Sequence, residues 1–435
     1  MQRIATPPLD ERLQRRFLKM VQAHLKHAPK LAPGVAAIPA ESSAFAATQA
    51  AWRFLNNERV TLPALVEPLR EVGRRRLAED DAPFALLVHD WCKLTFQQPR
   101  RKQDLTQLTH QTDVGYELTA ALLVSASHGQ PLAPLELHLK TDEGILSTRE
   151  PAPKNVPHLE QVLPTMRAAA SWKLGRPLVH VIDREADAVD YLRRWDADGH
   201  AVLIRGDDRR VRWNGESCLL SHIRTRLRKA GQLRPVGEAQ YQGRTARLYV
   251  AETTVVLDRP ARKNVKGRRF TRAGQPLSLR LIVVQVRDTR GQRVLAEWLL
   301  LSNVPIELAD ATKLAHCYYW RWKIESFFKL LKSHGQQLEQ WQQATGAAIA
   351  RRLLVAAMAC VTVWELQADE SPEATELKDV LVRLSGRQTK RSHPHTSPAL
   401  LAGLWVLLSM LSLLKHYNLT DLRRLAKTMP YLDSA

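Results

Sequence analysis

The chain has 435 residues, 45% of them hydrophobic, enough for a substantial core and for two to four domains rather than one. Its 64 Lys and Arg against 44 Asp and Glu leave a formal charge of +20, which points to a polyanionic partner, nucleic acid first. Four scattered cysteines without a CxxC pair give no readable zinc module or disulfide framework, and "MQRIATPPLDERLQRRF" has no signal-peptide core, so the expectation is a cytoplasmic protein.

Residues 1–80 read as a helical domain. "DERLQRRFLKMVQAHLKH" spaces Leu13, Phe17, Met20, Val21 and Leu25 in steps of three and four, and "SAFAATQAAWRFLNNERV" repeats the rhythm with Phe45, Thr48, Trp52 and Leu55. "TLPALVEPLREVGRRRLAED" predicts a third helix with Thr61 as its N-cap. From residue 82, "APFALLVHD", "GYELTAALLVSAS" and "APLELHLKTDEG" are short apolar runs separated by turn residues, which predicts a three-stranded antiparallel meander. A helical stretch over 157–174 then leads to the strand "RPLVHVID", the helix "READAVDYLRRW" and the strand "HAVLIRG". This alternation predicts a mixed α/β sheet covered by helices.

Residues 207–296 read as a β-rich insertion around the exposed basic loop "RPARKNVKGRRFTRAGQP". The α/β pattern resumes with the strand "AEWLLLSN" and one long helix, "PIELADATKLAHCYYWRWKIESFFKLLKS", which close the central region 81–345. Residues 346–435 read as a helical C-terminal region, with a flexible tract at "RLSGRQTKRSHPHTSP" whose HPH is a polar loop rather than a metal site. "SPALLAGLWVLLSMLSLL" approaches the roughly 17 residues that a membrane span needs. Its Pro398, Gly403 and serines, and the basic amphipathic helix after it, favour a buried helix and no membrane.

Two strands end on a carboxylate. Alternation places Phe84, Leu86, Val88 and Asp90 on one face of the first, and Val179, Val181 and Asp183 on one face of another. Each aspartate suits a turn or helix N-cap. Together, in a basic protein, they also suit a magnesium site, because neighbouring carboxylates repel unless a cation bridges them. At about 100° per residue, Tyr318, Arg321, Glu325, Lys329 and Lys332 form one stripe of the long helix, opposite Tyr319, Trp320, Ile324, Phe327, Leu330 and Leu331. That stripe reads either as a solvated face with i,i+4 pairs, or as a metal ligand, Glu325, flanked by phosphate-binding groups.

Tyr318, Arg321, Glu325 and Lys332 match the Y-(2)-R-(3)-E-(6)-K signature of the insertion-sequence-four family of bacterial DDE transposases. "DREAD", residues 183–187, resembles that family's second-aspartate segment, "VHD" ending at Asp90 resembles the first, and "QAAWRFLNN", residues 49–57, is similar to its N-terminal end-binding domain. The resemblance implies an RNase H-like core interrupted by a β insertion between the second Asp and the Glu. It implies that Asp90, Asp183 and Glu325 ligate two Mg²⁺, with Mn²⁺ as the alternative, for cleavage of double-stranded DNA at element ends and strand transfer into target DNA. It further implies that Tyr318, Arg321 and Lys332, helped by Lys329, hold the terminal phosphates. Trp298 would stack a flipped base, or else is a core Trp opening its strand. Arg205 and Arg209 would reach phosphate, and Arg53 would touch the element end. A homodimer in the synaptic complex, joined through the C-terminal region, and a cytoplasmic, nucleoid-bound location complete the expectation. Trp91 and Cys92 depart from the two threonines that often follow the first Asp in relatives. The competing functions are a catalytically silent DNA-binding regulator of transposition and a metal-dependent nuclease that cuts without joining.

Overall fold

The protein opens with α1 (Glu11–His27), α2 (Ala44–Leu55) and α3 (Leu62–Ala78). The computed structural model describes residues 4–27, 44–110, 112–152, 156–241, 244–265, 268–389, 394–426 and 428. In α1 the apolar spacing does what it predicts, and Leu13, Phe17, Met20, Val21 and Leu25 are all buried. Thr61 caps α3 as expected, its Oγ1 accepting from the Ala64 amide. The phase expected of α2 is wrong: Trp52 is 65% exposed and Phe54 and Leu55 are buried. The packed face runs through the small Ala51 instead, which lets α2 lie close to α1. The Phe45 side chain falls outside the described residues.

The strands follow in the order β1 (Ala85–Leu94), β2 (Thr106–Gln107), β3 (Val114–Ser125), β4 (Pro131–Lys140) and β5 (Ile145–Ser147). After α4 (His158–Ala169) come β6 (Leu178–Ile182), α5 (Val189–Ala197) and β7 (Ala201–Arg205). The inserted region holds β8 (Arg210–Trp213), β9 (Glu216–Leu219), α6 (Leu220–Lys229), β10 (Arg234–Tyr241), β11 (Arg244–Leu257), the hairpin β12 (Ala261–Val265) and β13 (Arg268–Arg272), and β14 (Leu277–Arg287). β15 (Val294–Ser302) returns to the core, followed by α7 (Ala311–Trp320), α8 (Trp322–Leu331), α9 (Gly346–Ala368), α10 (Pro372–Leu384), α11 (Ser397–Leu413) and α12 (Leu419–Ala426).

One sheet runs β5-β4-β3-β1-β6-β7-β15-β14-β11-β8-β9. β1, β6 and β7 are parallel neighbours, and β1, β3 and β4 form the expected antiparallel meander. The mixed α/β architecture is consistent with an RNase H-like core. The inserted strands extend the same sheet, because β15 pairs antiparallel with β7 on one side and with β14 on the other. α6 is a helix that the β-rich reading of this region omits: Leu220, Ile223 and Leu227 are buried while Arg224, Arg226 and Arg228 alternate with them. Residues 266–267 of the basic loop lie outside the described residues.

The expected long helix is two. Coil continues to Asp310, whose side chain caps α7 by accepting from the Lys313 amide, and Arg321 interrupts the run. There the Arg321 amide bonds back to the Tyr318 carbonyl and the Ile324 amide to the Arg321 carbonyl, a local i−3 tightening. α9 is apolar and long enough to cross a membrane, but 83% of its apolar window is buried by protein, packed against α1, α3 and α11. α11 is covered on one face only: Leu400 and Leu401 are buried, whereas Val406, Met410 and Leu411 are exposed. It is therefore a half-packed helix rather than the buried one predicted. Of the HPH sequence, His393 lies outside the described residues, and His395 Nε2 sits 2.7 Å from Asp379 Oδ1.

Candidate active site

The parallel pairing of β1 with β6 ends at His89 opposite Ile182. The next residue of each strand is Asp90 and Asp183, so the two carboxylates stand side by side where adjacent parallel strands lie about 4.8 Å apart. β1 is also where the strand order reverses, with β3 on one side and β6 on the other, the position at which open α/β sheets form ligand crevices. Both backbones fix their aspartates. The Trp91 amide donates to Asp90 Oδ1 at 2.9 Å, and the Arg184 amide donates to Asp183 Oδ1 at 2.6 Å.

α8 packs across β1 and brings Glu325 to the pair. At the centre lies Arg321, only 5% exposed. Its Nη1 donates to Asp90 Oδ2 at 2.8 Å, its Nη2 donates to Glu325 Oε1 at 2.8 Å, and the same Nη2 is 3.6 Å from Asp183 Oδ2. One guanidinium therefore collects all three predicted carboxylates. Among the described residues no three Asp, Glu, His or Cys side chains are gathered closely enough to hold a metal ion as they stand. The donor set nonetheless fits a hard divalent cation: three convergent carboxylates already bridged by a positive group, with two negative charges left after Arg321 is counted.

Burial raises the Asp90 carboxyl to about 6, with Asp183 and Glu325 adding to the rise and Arg321 opposing it. Burial works against the charge on Arg321 too, but Asp183, Tyr318, Asp90 and Glu325 hold its pKa above the ordinary value. The Tyr318 hydroxyl donates to Asp183 Oδ1 at 3.3 Å, and burial followed by the Asp183 charge raises its pKa, so it remains a donor. Behind Asp90, His89 Nε2 is 3.0 Å from His180 Nδ1, and burial lowers His89 to about 4, which leaves it neutral near pH 7.

The structure gathers Asp90, Asp183, Tyr318, Arg321 and Glu325. Arg205 ends β7 close enough for its charge to bear on Tyr318. Lys329 is exposed on α8. Lys332 is engaged with protein: its Nζ is 2.9 Å from Glu339 Oε1 and donates to the Lys93 carbonyl at 2.8 Å, pinning the end of α8 to the end of β1. Trp298 is 5% exposed, its ring 5.6 Å from that of Tyr318, so it lies beneath the signature tyrosine. Arg209 grips the buried Asp187. Arg53 stands apart from the carboxylates, in a groove between α1 and α2 lined also by Arg12, Arg15, Arg16 and Lys19.

Sequence reasoning missed two groups beside the site. His158 stacks on Trp91 with ring centroids 3.8 Å apart, and its nitrogens lie 3.2 Å from Glu117 and 3.6 Å from Glu185. The Asp187–Arg209 pair is the other, and the acid that closes "DREAD" four residues after Asp183 is its one sequence signal.

A family model described as a transposase DDE domain matches residues 127–361, more than half of the chain. The match includes Asp183 and the whole of α7 and α8, and begins after Asp90.

Proposed function

Because the chain belongs to the transposase DDE-domain family, and so is a transposase whose substrate is DNA, we propose that it is a cut-and-paste enzyme of the insertion-sequence-four group. It cleaves element ends and joins the freed 3′-OH to target DNA. The observation that carries this reading is the convergence of Asp90, Asp183 and Glu325 on one cation, with Tyr318 donating into the same cluster. These carboxylates would hold Mg²⁺, or Mn²⁺ in its place. The metals supply activation of the attacking oxygen and charge stabilisation at phosphorus when bound.

The chain's own residues do the rest. Tyr318 stays protonated and orients Asp183. Arg321 bridges the three carboxylates and would meet the reacting phosphate from among them, with help from Arg205, whose charge bears on Tyr318, and from the exposed Lys329 one turn beyond Glu325. Lys332 holds α8 on β1 and would exchange Glu339 for a phosphate when DNA arrives. The +20 charge of the chain favours encounter with DNA.

The α1–α2 groove offers five cations to a duplex backbone, with the exposed Trp52 beside Arg53. Replacing Arg16 and Arg53 together by Gln is expected to weaken binding of end DNA and to lower the salt slope, d log K/d log[salt], by about 2 if each meets one phosphate. An unchanged slope in fluorescence anisotropy would remove the groove from the interface.

Val406, Met410, Leu411 and Leu414, with Leu419 and Leu425 of the amphipathic α12, form an apolar surface that the described residues leave uncovered. A second copy of the chain in the synaptic complex is the occupant this reading assigns to it. The test is incubation with Mg²⁺, a labelled duplex carrying the element end, and supercoiled target. The expected result is joined product from a complex of two chains and two ends, measured by light scattering. Cleavage without joining would make the protein a nuclease, binding without cleavage a regulator, and a one-chain complex would sink the homodimer.

A further inference from the structure

Four residues past Asp183 the chain carries a second aspartate, whose side chain is 0% exposed. Asp183 caps a single 3-10 turn, Arg184–Ala186, and Asp187 closes it. The Ala186 amide bonds to the Asp183 carbonyl at 3.1 Å and the Asp187 amide to the Arg184 carbonyl at 2.9 Å, so the five residues move as one hydrogen-bonded unit.

That unit is gripped from the segment leaving β7. Arg209 Nε donates to Asp187 Oδ2 at 3.0 Å, its Nη2 lies 2.9 Å from Oδ1, and the same Nη2 donates to the Asp187 carbonyl. The Asp207 amide adds a bond to Oδ2 at 2.6 Å. The gripping segment is itself fixed, to β15 through the Gly206 amide on the Leu299 carbonyl and to the start of α6 through the Leu220 amide on the Arg209 carbonyl. A second pair between the same segments, Arg184 with Asp207 at 3.2 Å, has both side chains more than half exposed and contributes little.

Resting on the assignment of Asp183 as a metal ligand, we propose that Asp187 and Arg209 form a positioning pair that sets the Asp183 carboxylate, by clamping its turn to the start of the inserted region. A planar guanidinium that hydrogen-bonds one carboxylate oxygen and the backbone carbonyl of the same aspartate, and lies against the second oxygen, fixes orientation as well as distance, which an ammonium does not. Burial pushes the Asp187 carboxyl up, against the pull of Arg209, so loss of the arginine leaves a buried carboxylate that takes up a proton or turns outward. Either response moves the turn that carries Asp183. Arg209 is thus occupied by protein, and the phosphate contact expected of it passes to Arg205 alone.

The test compares Asp187→Asn, Arg209→Gln and Arg209→Lys with the wild type by two readouts, Mn²⁺ binding to the DNA-free protein by electron paramagnetic resonance and the salt dependence of end-DNA binding. Both neutral variants are expected to bind Mn²⁺ about tenfold more weakly, with the salt slope unchanged. Arg209→Lys, which keeps the charge and loses the fork, is expected to fall between them and the wild type, and guards against a variant that does not fold. If Asp187→Asn binds Mn²⁺ as the wild type does while Arg209→Gln loses about one unit of salt slope, Arg209 is a phosphate contact and the positioning pair is wrong. A wild-type protein that binds no Mn²⁺ refutes the ligand assignment, and this proposal with it.

Discussion

Asp183→Asn is expected to abolish cleavage of an element end, lowering the rate on the order of a thousandfold or more, while DNA binding stays at the wild-type level. The substitution removes a charged ligand and little else. Asp183 is the most open of the three carboxylates, 37% exposed, and the most loosely tied to Arg321, at 3.6 Å against 2.8 Å for each of the other two. A carboxamide oxygen can still accept from the Arg184 amide and from the Tyr318 hydroxyl. The turn should therefore survive, and the thermal midpoint should move little. The measurement is a burst of nicked product under single-turnover conditions beside a binding isotherm. Cleavage at the wild-type rate would dismiss Asp183 as a ligand, and lost binding would give it a structural role instead.

The second large effect belongs to Arg321→Gln in the metal-free protein. Removing the one cation that bridges Asp90, Asp183 and Glu325 leaves clustered carboxylates without a counter-charge, and breaking a mostly buried pair of this kind costs about 3 kcal/mol. The loss should appear as a drop of roughly 3 °C in the thermal midpoint. Divalent ions can take over the bridging charge, so saturating Mg²⁺ should stabilise this variant more than the wild type.

The deficit also has a pH signature. Asp90 already sits at about 6 with Arg321 present, above the unfolded value near 3.9, and without the arginine it rises further. The native state then binds a proton that the unfolded state does not, so stability increases as pH falls through the folded pKa. The penalty is fully expressed at pH 8 and shrinks toward pH 5. Thermal melts at pH 5, 6.5 and 8, with and without Mg²⁺, check both parts. A deficit that is the same at every pH and indifferent to Mg²⁺ would mean that Arg321 serves packing rather than charge.

Much of this site can be read in the sequence because strands and helices have fixed periods. Alternation placed Asp90 and Asp183 at the ends of apolar rows, and helical spacing put Glu325 four residues from Arg321. Their adjacency is another matter. That β1 and β6 are parallel neighbours depends on long-range pairing, and nothing local to "FALLVHD" or "PLVHVID" encodes it. The interruption at Arg321 was illegible for a related reason. Tyr319, Trp320 and Trp322 continue the helical pattern, and nothing in it marks the tightened i−3 bonds at Arg321. Trp52 misled in the opposite direction, since its size suggests a core residue and the small Ala51 is what the packing uses. Charged residues gave the least local information: Lys332 and Arg209 look alike as surface bases, yet one is tied to Glu339 and the other to a fully buried aspartate.

The seam between β7 and β15 is three rungs wide, Leu203 with Ser302, Ile204 with Leu301 and Arg205 with Leu300. Through it the carboxylate-bearing strands and the inserted strands are parts of a single stiff plate. The insertion cannot flap on a tether of free chain. A nucleic acid lying across it would be held at a set distance and angle from Asp90 and Asp183, as work clamped to one bed keeps its registration with the tool. Any flexing between the carboxylate-bearing strands and the insertion passes through this line of three rungs, and Arg205 occupies the last of them.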